Sequence, residues 1–206
     1  MENILKQTVK DFSKKNEVIQ TIIIALVALM VPTFLARLLN IVFGANSAVA
    51  SNSQIIVGSI VNTALVVSAL NLKGWNKIIP VVTMPSISTI LSGYVFKSAS
   101  VYMVYMIPAI WLGNFALIFM VKYVMLANNK NYILGAILGI ICKVAIIFGF
   151  FNILRLFNIF PDKLVTNLQK AMGVTQLITA TIGCIIGHLI YKMESGQRDG
   201  SFFQKF

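Results

Sequence analysis

Six apolar runs, each close to the length needed to cross a bilayer, divide this chain of 206 residues. A helix needs about 20 apolar residues to span the hydrocarbon core. The runs extend from about Val18 to Phe43, Ser53 to Leu72, Ile78 to Phe96, Val101 to Leu126, Tyr132 to Phe157 and Thr166 to Tyr191. Pro32 is expected to kink the first, and Pro108 lies near the start of the fourth. The third is the least regular, because it carries Pro80, Pro85 and many serines and threonines. Composition agrees: 58% of residues are hydrophobic, 11% are charged, and mean hydropathy is +0.85. A soluble domain has about a quarter of its residues charged. Too little polar surface remains to cover a water-facing exterior, so lipid must solvate most of the chain. The expected fold is an all-α integral membrane protein with six transmembrane helices.

The polar segments set domains and orientation. Residues 1–17 contain Lys6, Lys10, Lys14 and Lys15, with Ile4, Leu5, Val9 and Phe12 at near-helical spacing. They predict a short amphipathic helix on the cytoplasmic membrane surface. The apolar run behind it is too long for a signal-peptide core, so the segment is expected to stay attached. Residues 18–191 form the six-helix domain and 192–206 a polar cytoplasmic tail. Asn128–Asn131 and Phe160–Lys163 have the composition of turns. With the N-terminus inside, eleven cations fall on inner segments: Lys6, Lys10, Lys14, Lys15, Lys73, Lys77, Lys122, Lys130, Lys192, Arg198 and Lys205. Four fall outside: Lys97, Arg155, Lys163 and Lys170. The positive-inside rule therefore places both termini in the cytoplasm. The net charge of +11 is explained by these loop anchors, and no nucleic-acid partner is expected.

Several chemistries are absent. There is no GxxxxGK[ST] loop for ATP. All six acidic residues (Glu2, Asp11, Glu17, Asp162, Glu194 and Asp199) lie outside the runs, which argues against self-sufficient ion coupling through buried carboxylates. The single histidine, His188, has no buried acidic partner, which excludes an HExxH zinc site and a Ser-His-Asp triad. An interface contact at the inner end of the sixth helix is its expected role. Cys142 and Cys184 lie within apolar runs without metal-ligand spacing. No catalytic residue, cofactor or metal ligand is expected, and the chain does not read as an enzyme.

The informative residues are polar groups inside the runs. Lys143 lies near the middle of the fifth, where an unpaired lysine costs a few kcal/mol. It either meets an anionic ligand in a cavity or bonds helix carbonyls or a nearby Asn or Gln as structural glue. At 1.5 Å rise per residue, Asn114, Lys143 and Gln176 fall within one or two turns of the same depth. Trp111 shares a face with Asn114; Met172 and Thr179 flank Gln176. An aromatic wall with a few polar groups is how small-molecule sites are built. Arg37, toward the outer end of the first helix, is an interface anchor or lines the pocket mouth. Small-residue pairs at i, i+4 allow close helix contact: Ala109 with Gly113, Gly135 with Gly139, Ala145 with Gly149, and Gly183 with Gly187.

The run PAIWLGNFAL in the fourth helix, Lys143 in the fifth and AMGVTQLITATIG in the sixth resemble the substrate-binding S components of energy-coupling factor (ECF) transporters of low-GC bacteria. The topology resembles that family over essentially the whole chain. The resemblance implies a multi-pass protein of the bacterial cytoplasmic membrane that captures a scarce solute outside. It also implies partners: a transmembrane coupling subunit and two cytosolic ATPases. Family members dock through a small-residue face of the first helix, often Ala-x-x-x-Ala. The corresponding residues here are Ala25, Ala28, Pro32 and Ala36, of which Pro32 and Ala36 keep the four-residue spacing. The expected solute is an anionic vitamin or cofactor, haem included; a bare transition-metal cation fits poorly beside Lys143. The competing expectations are a structural or assembly membrane protein, and a small channel or facilitator.

Overall fold

A computed structural model describes the backbone of residues 2–44, 47–72, 74–124 and 131–203, with side chains considered within 18–193 apart from Ala50 and Ser51. The described residues form helices and no strand. Five helical stretches are long and apolar enough to cross a membrane: Val18–Phe43, Ser53–Asn71, Lys97–Lys122, Tyr132–Leu156 and Asp162–Met193. Inside hydrocarbon a helix satisfies its own backbone polar groups, which is why apolar runs adopt it.

Helix α1 runs without interruption over Glu2–Phe43 and passes through Pro32. The expected amphipathic segment at 1–17 is helical, and its backbone continues into the first apolar run without a break; the side chains of 1–17 lie outside the described set. A single turn, α2 (Ala48–Ser51), precedes α3 (Ser53–Asn71). Helix α4 occupies Trp75–Ser92, starting before Ile78 and stopping short of Phe96. Gly93, at φ 69°, ends it in the left-handed region, where only glycine is unstrained. Asn76, Lys77, two prolines and several hydroxyls lower its apolar content, and it is not among the five stretches. Its hydroxyls bond back along their own helix: Thr83 to the Ile79 carbonyl (2.9 Å) and Ser86 to that of Thr83 (2.8 Å).

The fourth run is less regular than its apolar content predicts. Two 3₁₀ turns, Lys97–Ala99 and Val104–Met106, flank the short α5 (Ser100–Met103) before α6 begins at Ile107 and runs to Lys122. Pro108 sits in the first turn of α6, where its missing N–H has no intrahelical acceptor to lose. Helix α7 spans Tyr132–Leu156, capped by the Asn131 side chain on the Ile133 N–H (3.0 Å). The rest of the expected turn at Asn128–Asn131 lies outside the described residues. The sixth run divides at Gly173 into α8 (Asp162–Met172) and α9 (Val174–Phe203). Helix α8 is amphipathic: Leu168, Ala171 and Met172 are buried while Lys163, Asn167 and Lys170 are exposed. The expected polar tail at 192–206 continues the α9 backbone as far as Phe203.

Contacts fix the relative directions. Lys77 bonds Gln20 (2.8 Å) and Thr33 bonds the Ser88 carbonyl (3.1 Å), so α4 runs parallel to α1. Gly58 faces Thr179 and Gly187 faces Val66, so α3 and α9 are parallel as well. Gly113 meets Ile147 and Gly139 meets Leu117, which makes α6 and α7 antiparallel. Both strict GxxxG pairs are thus internal packing, Gly183 and Gly187 against α3 and Gly135 and Gly139 against α6. Gly149 is the exception, with no atom within 4 Å of where a Cβ would stand.

Two apolar clusters enclose the polar centre. One gathers Leu65, Val66, Ile78, Leu117, Val121 and Ala180 from α3, α4, α6 and α9. The other gathers Met103, Met106, Ile147, Phe151, Leu168 and Met172 around α8. Helix α1 stands largely outside both and exposes Ile22, Leu26, Met30, Phe34 and Ile41. Pro32 and Ala36 are buried within the chain, Ala36 completely. The expected docking pair on the first helix is therefore corrected: those two positions face inward, where a partner cannot reach them. Ala25 and Ala28 are half-buried.

Candidate functional site

Lys143 is only 2% exposed, on the face of α7 turned toward α3 and α6. Its Nζ donates to Oδ1 of Asn114 (2.7 Å) and to Oδ1 of Asn62 (2.5 Å). Both amide orientations are dictated by the surroundings. The Asn114 Nδ2 donates to the Val82 carbonyl on α4 (3.0 Å). The Asn62 Nδ2 donates to the Gly58 carbonyl (2.9 Å) and to Thr179 Oγ1 on α9 (3.2 Å). With each NH₂ occupied by oxygen acceptors, each amide must turn its oxygen to the lysine. One network therefore ties α3, α4, α6, α7 and α9 at a single depth. An ammonium has three N–H donors, and two are used here.

A cavity of about 70 Å³ lies over this network. Lys143, Asn62 and Asn114 line it together with Gln54, Ser86, Thr89 and Gln176. Val57, Val61, Pro85 and Ile110 supply apolar wall. Among the described residues no carboxylate lines it, so the lysine has amide dipoles but no described counter-charge beside it. Gln54, Val95 and Phe96 also line a second, larger cavity of about 360 Å³, walled further by Asn52, Asn167, Lys170 and Thr175. The two form a small inner chamber with a polar vestibule. Gln54 spans the vestibule by donating to the Ala171 carbonyl at the end of α8 (3.3 Å).

Lys143 and Asn114, expected at similar depth, are in direct contact, and Gln176 lies in the same chamber wall. The other expected ligand-binding residues fall elsewhere. Thr179 is buried behind the wall, as the hydroxyl on Asn62. Trp111 does not line the chamber; its indole N–H donates to Ser86 Oγ (2.8 Å), which does. Met172 is fully buried in the apolar cluster around α8 and reaches neither cavity, because the break at Gly173 turns it away from Gln176. Arg37 is exposed on α1, which packs mainly against α4, and lines neither cavity. His188 stacks on Tyr132, with ring centroids 4.1 Å apart.

Asn62 and Gln54 escaped the sequence argument, yet the signal was present. Asn62 sits mid-way along a mostly apolar run, level with Gly183 and about two turns beyond Gln176 in the parallel α9. Phe96 carried no such signal, because its position depends on the irregular turns before α6.

Removing the indole N–H bond alone has a limited cost. Trp111→Phe is expected to lose about 1 kcal/mol of stability, the usual worth of one hydrogen bond. Thermal unfolding in detergent checks it, and Lys143-dependent binding should survive.

Comparison with known proteins gives no family model, curated protein or solved structure that matches this chain. The site therefore stands on its own geometry.

Proposed function

We propose that this chain is the solute-capture subunit of an ECF-type ABC importer in a bacterial cytoplasmic membrane. It takes up a small solute bearing a carboxylate or similar anionic group, in the class of vitamins and related cofactors. The observation that carries the reading is a buried lysine with no carboxylate beside it among the described residues, set in the wall of a chamber that opens through a vestibule; its ammonium form has one N–H to spare beyond the two bonds to Asn62 and Asn114. An anionic head group supplies the missing counter-charge and takes the third N–H. The chamber holds only that head; a ring or chain occupies the vestibule, whose volume is within the usual range of about 300–1,000 Å³ for small-molecule sites.

In this reading α4 is a sixth crossing. Its parallel course beside α1, from Lys77 at Gln20 to Ser88 at Thr33, supports that assignment. Six crossings leave both termini in the cytoplasm, as the lysine distribution favours. The vestibule then faces outward, and the opposite end carries Lys77 and Lys122. Lys122 caps the last carbonyls of α3 at Ala69 (3.2 Å) and Leu72 (2.7 Å). Apart from Asp162 at the exposed start of α8, the spans carry no carboxylate for ion coupling, which supports a protein driven by partner ATPases through a coupling subunit.

A second reading has its own support. The two bonds from Lys143 to Asn62 and Asn114 would also serve a ligand-free protein as an interhelical clamp. Flux separates the transport classes. Liposomes containing the purified chain alone should show no net uptake from a panel of radiolabelled carboxylate vitamins, while at least one panel member binds. Passive flux would identify a channel or facilitator and overturn the proposal; absence of any binding would favour the clamp.

A further inference from the structure

The geometry points to a binding site for one anionic phospholipid in the groove between α7 and the α8–α9 break. This site shares Lys170 with the solute vestibule, but its apolar slot and Arg155 lie outside both solute cavities, and it does not depend on the transport reading. The groove encloses about 560 Å³. Its floor is apolar: Val144 and Phe148 from α7, one turn apart, face Val174 and Leu177 from α9. Its rim is polar and comes from the exposed side of α8, with Thr166, Gln169 and Lys170. Arg155, in the last turn of α7, reaches the same rim, its guanidinium on Gln169 Oε1 (3.5 Å).

Gly173 opens this groove. A Cβ there would stand 3.1 Å from the Phe148 ring and 3.2 Å from the Gln169 carbonyl. The groove thus has an apolar slot at one end and two cations with hydrogen-bonding side chains at the other. An acyl chain removes the slot from contact with bulk lipid, and a phosphodiester accepts from Lys170 and Arg155. The charge at the rim selects an anionic head group over a zwitterionic one, and basic pockets beside transmembrane helices are used for that purpose elsewhere.

Native mass spectrometry of the full chain in detergent tests the site, with phosphatidylglycerol and phosphatidylcholine of identical acyl chains as probes. One tightly held phosphatidylglycerol is expected, in preference to phosphatidylcholine. The double variant R155Q/K170Q should lose that preference by about thirtyfold, since each cation near the surface contributes about a fivefold factor. Val174→Trp, which fills the slot, should displace both lipids. Lys163→Gln, about two turns along the same helix from Lys170 and not among the residues that line the groove, should change neither. Thermal unfolding of each variant identifies any that fails to fold, and the remaining variant then decides. Equal binding of the two lipids by the wild type would overturn the site. So would a preference that survives R155Q/K170Q or disappears in Lys163→Gln.

Discussion

Lys143→Met is expected to weaken solute capture by about ten- to a hundredfold while leaving the fold intact. A hydrogen bond to a charged group contributes about 1.5–3 kcal/mol, which sets that range. The fold survives because two effects oppose each other. The substitution leaves Oδ1 of Asn62 and Asn114 without their donor. It also removes a desolvated ammonium, and replacing a buried charge by an apolar side chain of similar volume is often neutral or better. Titration of the purified variant with its copurifying solute, run beside thermal unfolding, reads both effects. If Lys143 were only a clamp, the melting temperature would fall and the affinity for solute would not.

The second large effect concerns packing. Gly183→Leu should destabilise the chain by about 1–3 kcal/mol or more, the cost of overpacking where the surroundings cannot yield. A Cβ at Gly183 would stand 2.7 Å from the Asn62 carbonyl carbon and 2.8 Å from the Thr63 nitrogen. Those atoms are backbone, so α3 must move away from α9. Asn62 moves with it and leaves Lys143. Loss of stability and loss of solute binding are therefore expected together, in contrast to Lys143→Met. Gly149→Leu adds the same side chain with nothing within 4 Å and should leave the melting temperature close to that of the wild type. Fluorescence-detected size-exclusion chromatography after heating measures both.

How far the sequence reaches depends on the kind of signal. The spans were legible because hydropathy is summed over some twenty residues and needs no partner. Depth was legible because a straight helix converts residue number into distance, which is how Asn114, Lys143 and Gln176 could be placed at one level. Facing was not legible. Pro32 and Ala36 have the spacing of a docking stripe, yet α4 covers them. Arg37 and Met172 lie at plausible heights but point away from the chamber. Helix rotation is set by neighbours, and no neighbour is written into a single run. Interruptions were also hidden. Gly173 divides the last run and creates the amphipathic α8, whose backbone carbonyl at Ala171 holds Gln54 across the vestibule. Average hydropathy across that run does not register a break of one residue.

The most direct test is mass spectrometry of the small molecules that copurify with the wild-type chain and with Lys143→Met, expressed in the same cells and isolated in parallel. A solute-capture subunit predicts one carboxylate-bearing compound in stoichiometric amount with the wild type and a trace of it with the variant. An equal amount on both proteins, or no small molecule on either, would contradict Lys143 as the anchor of a solute site.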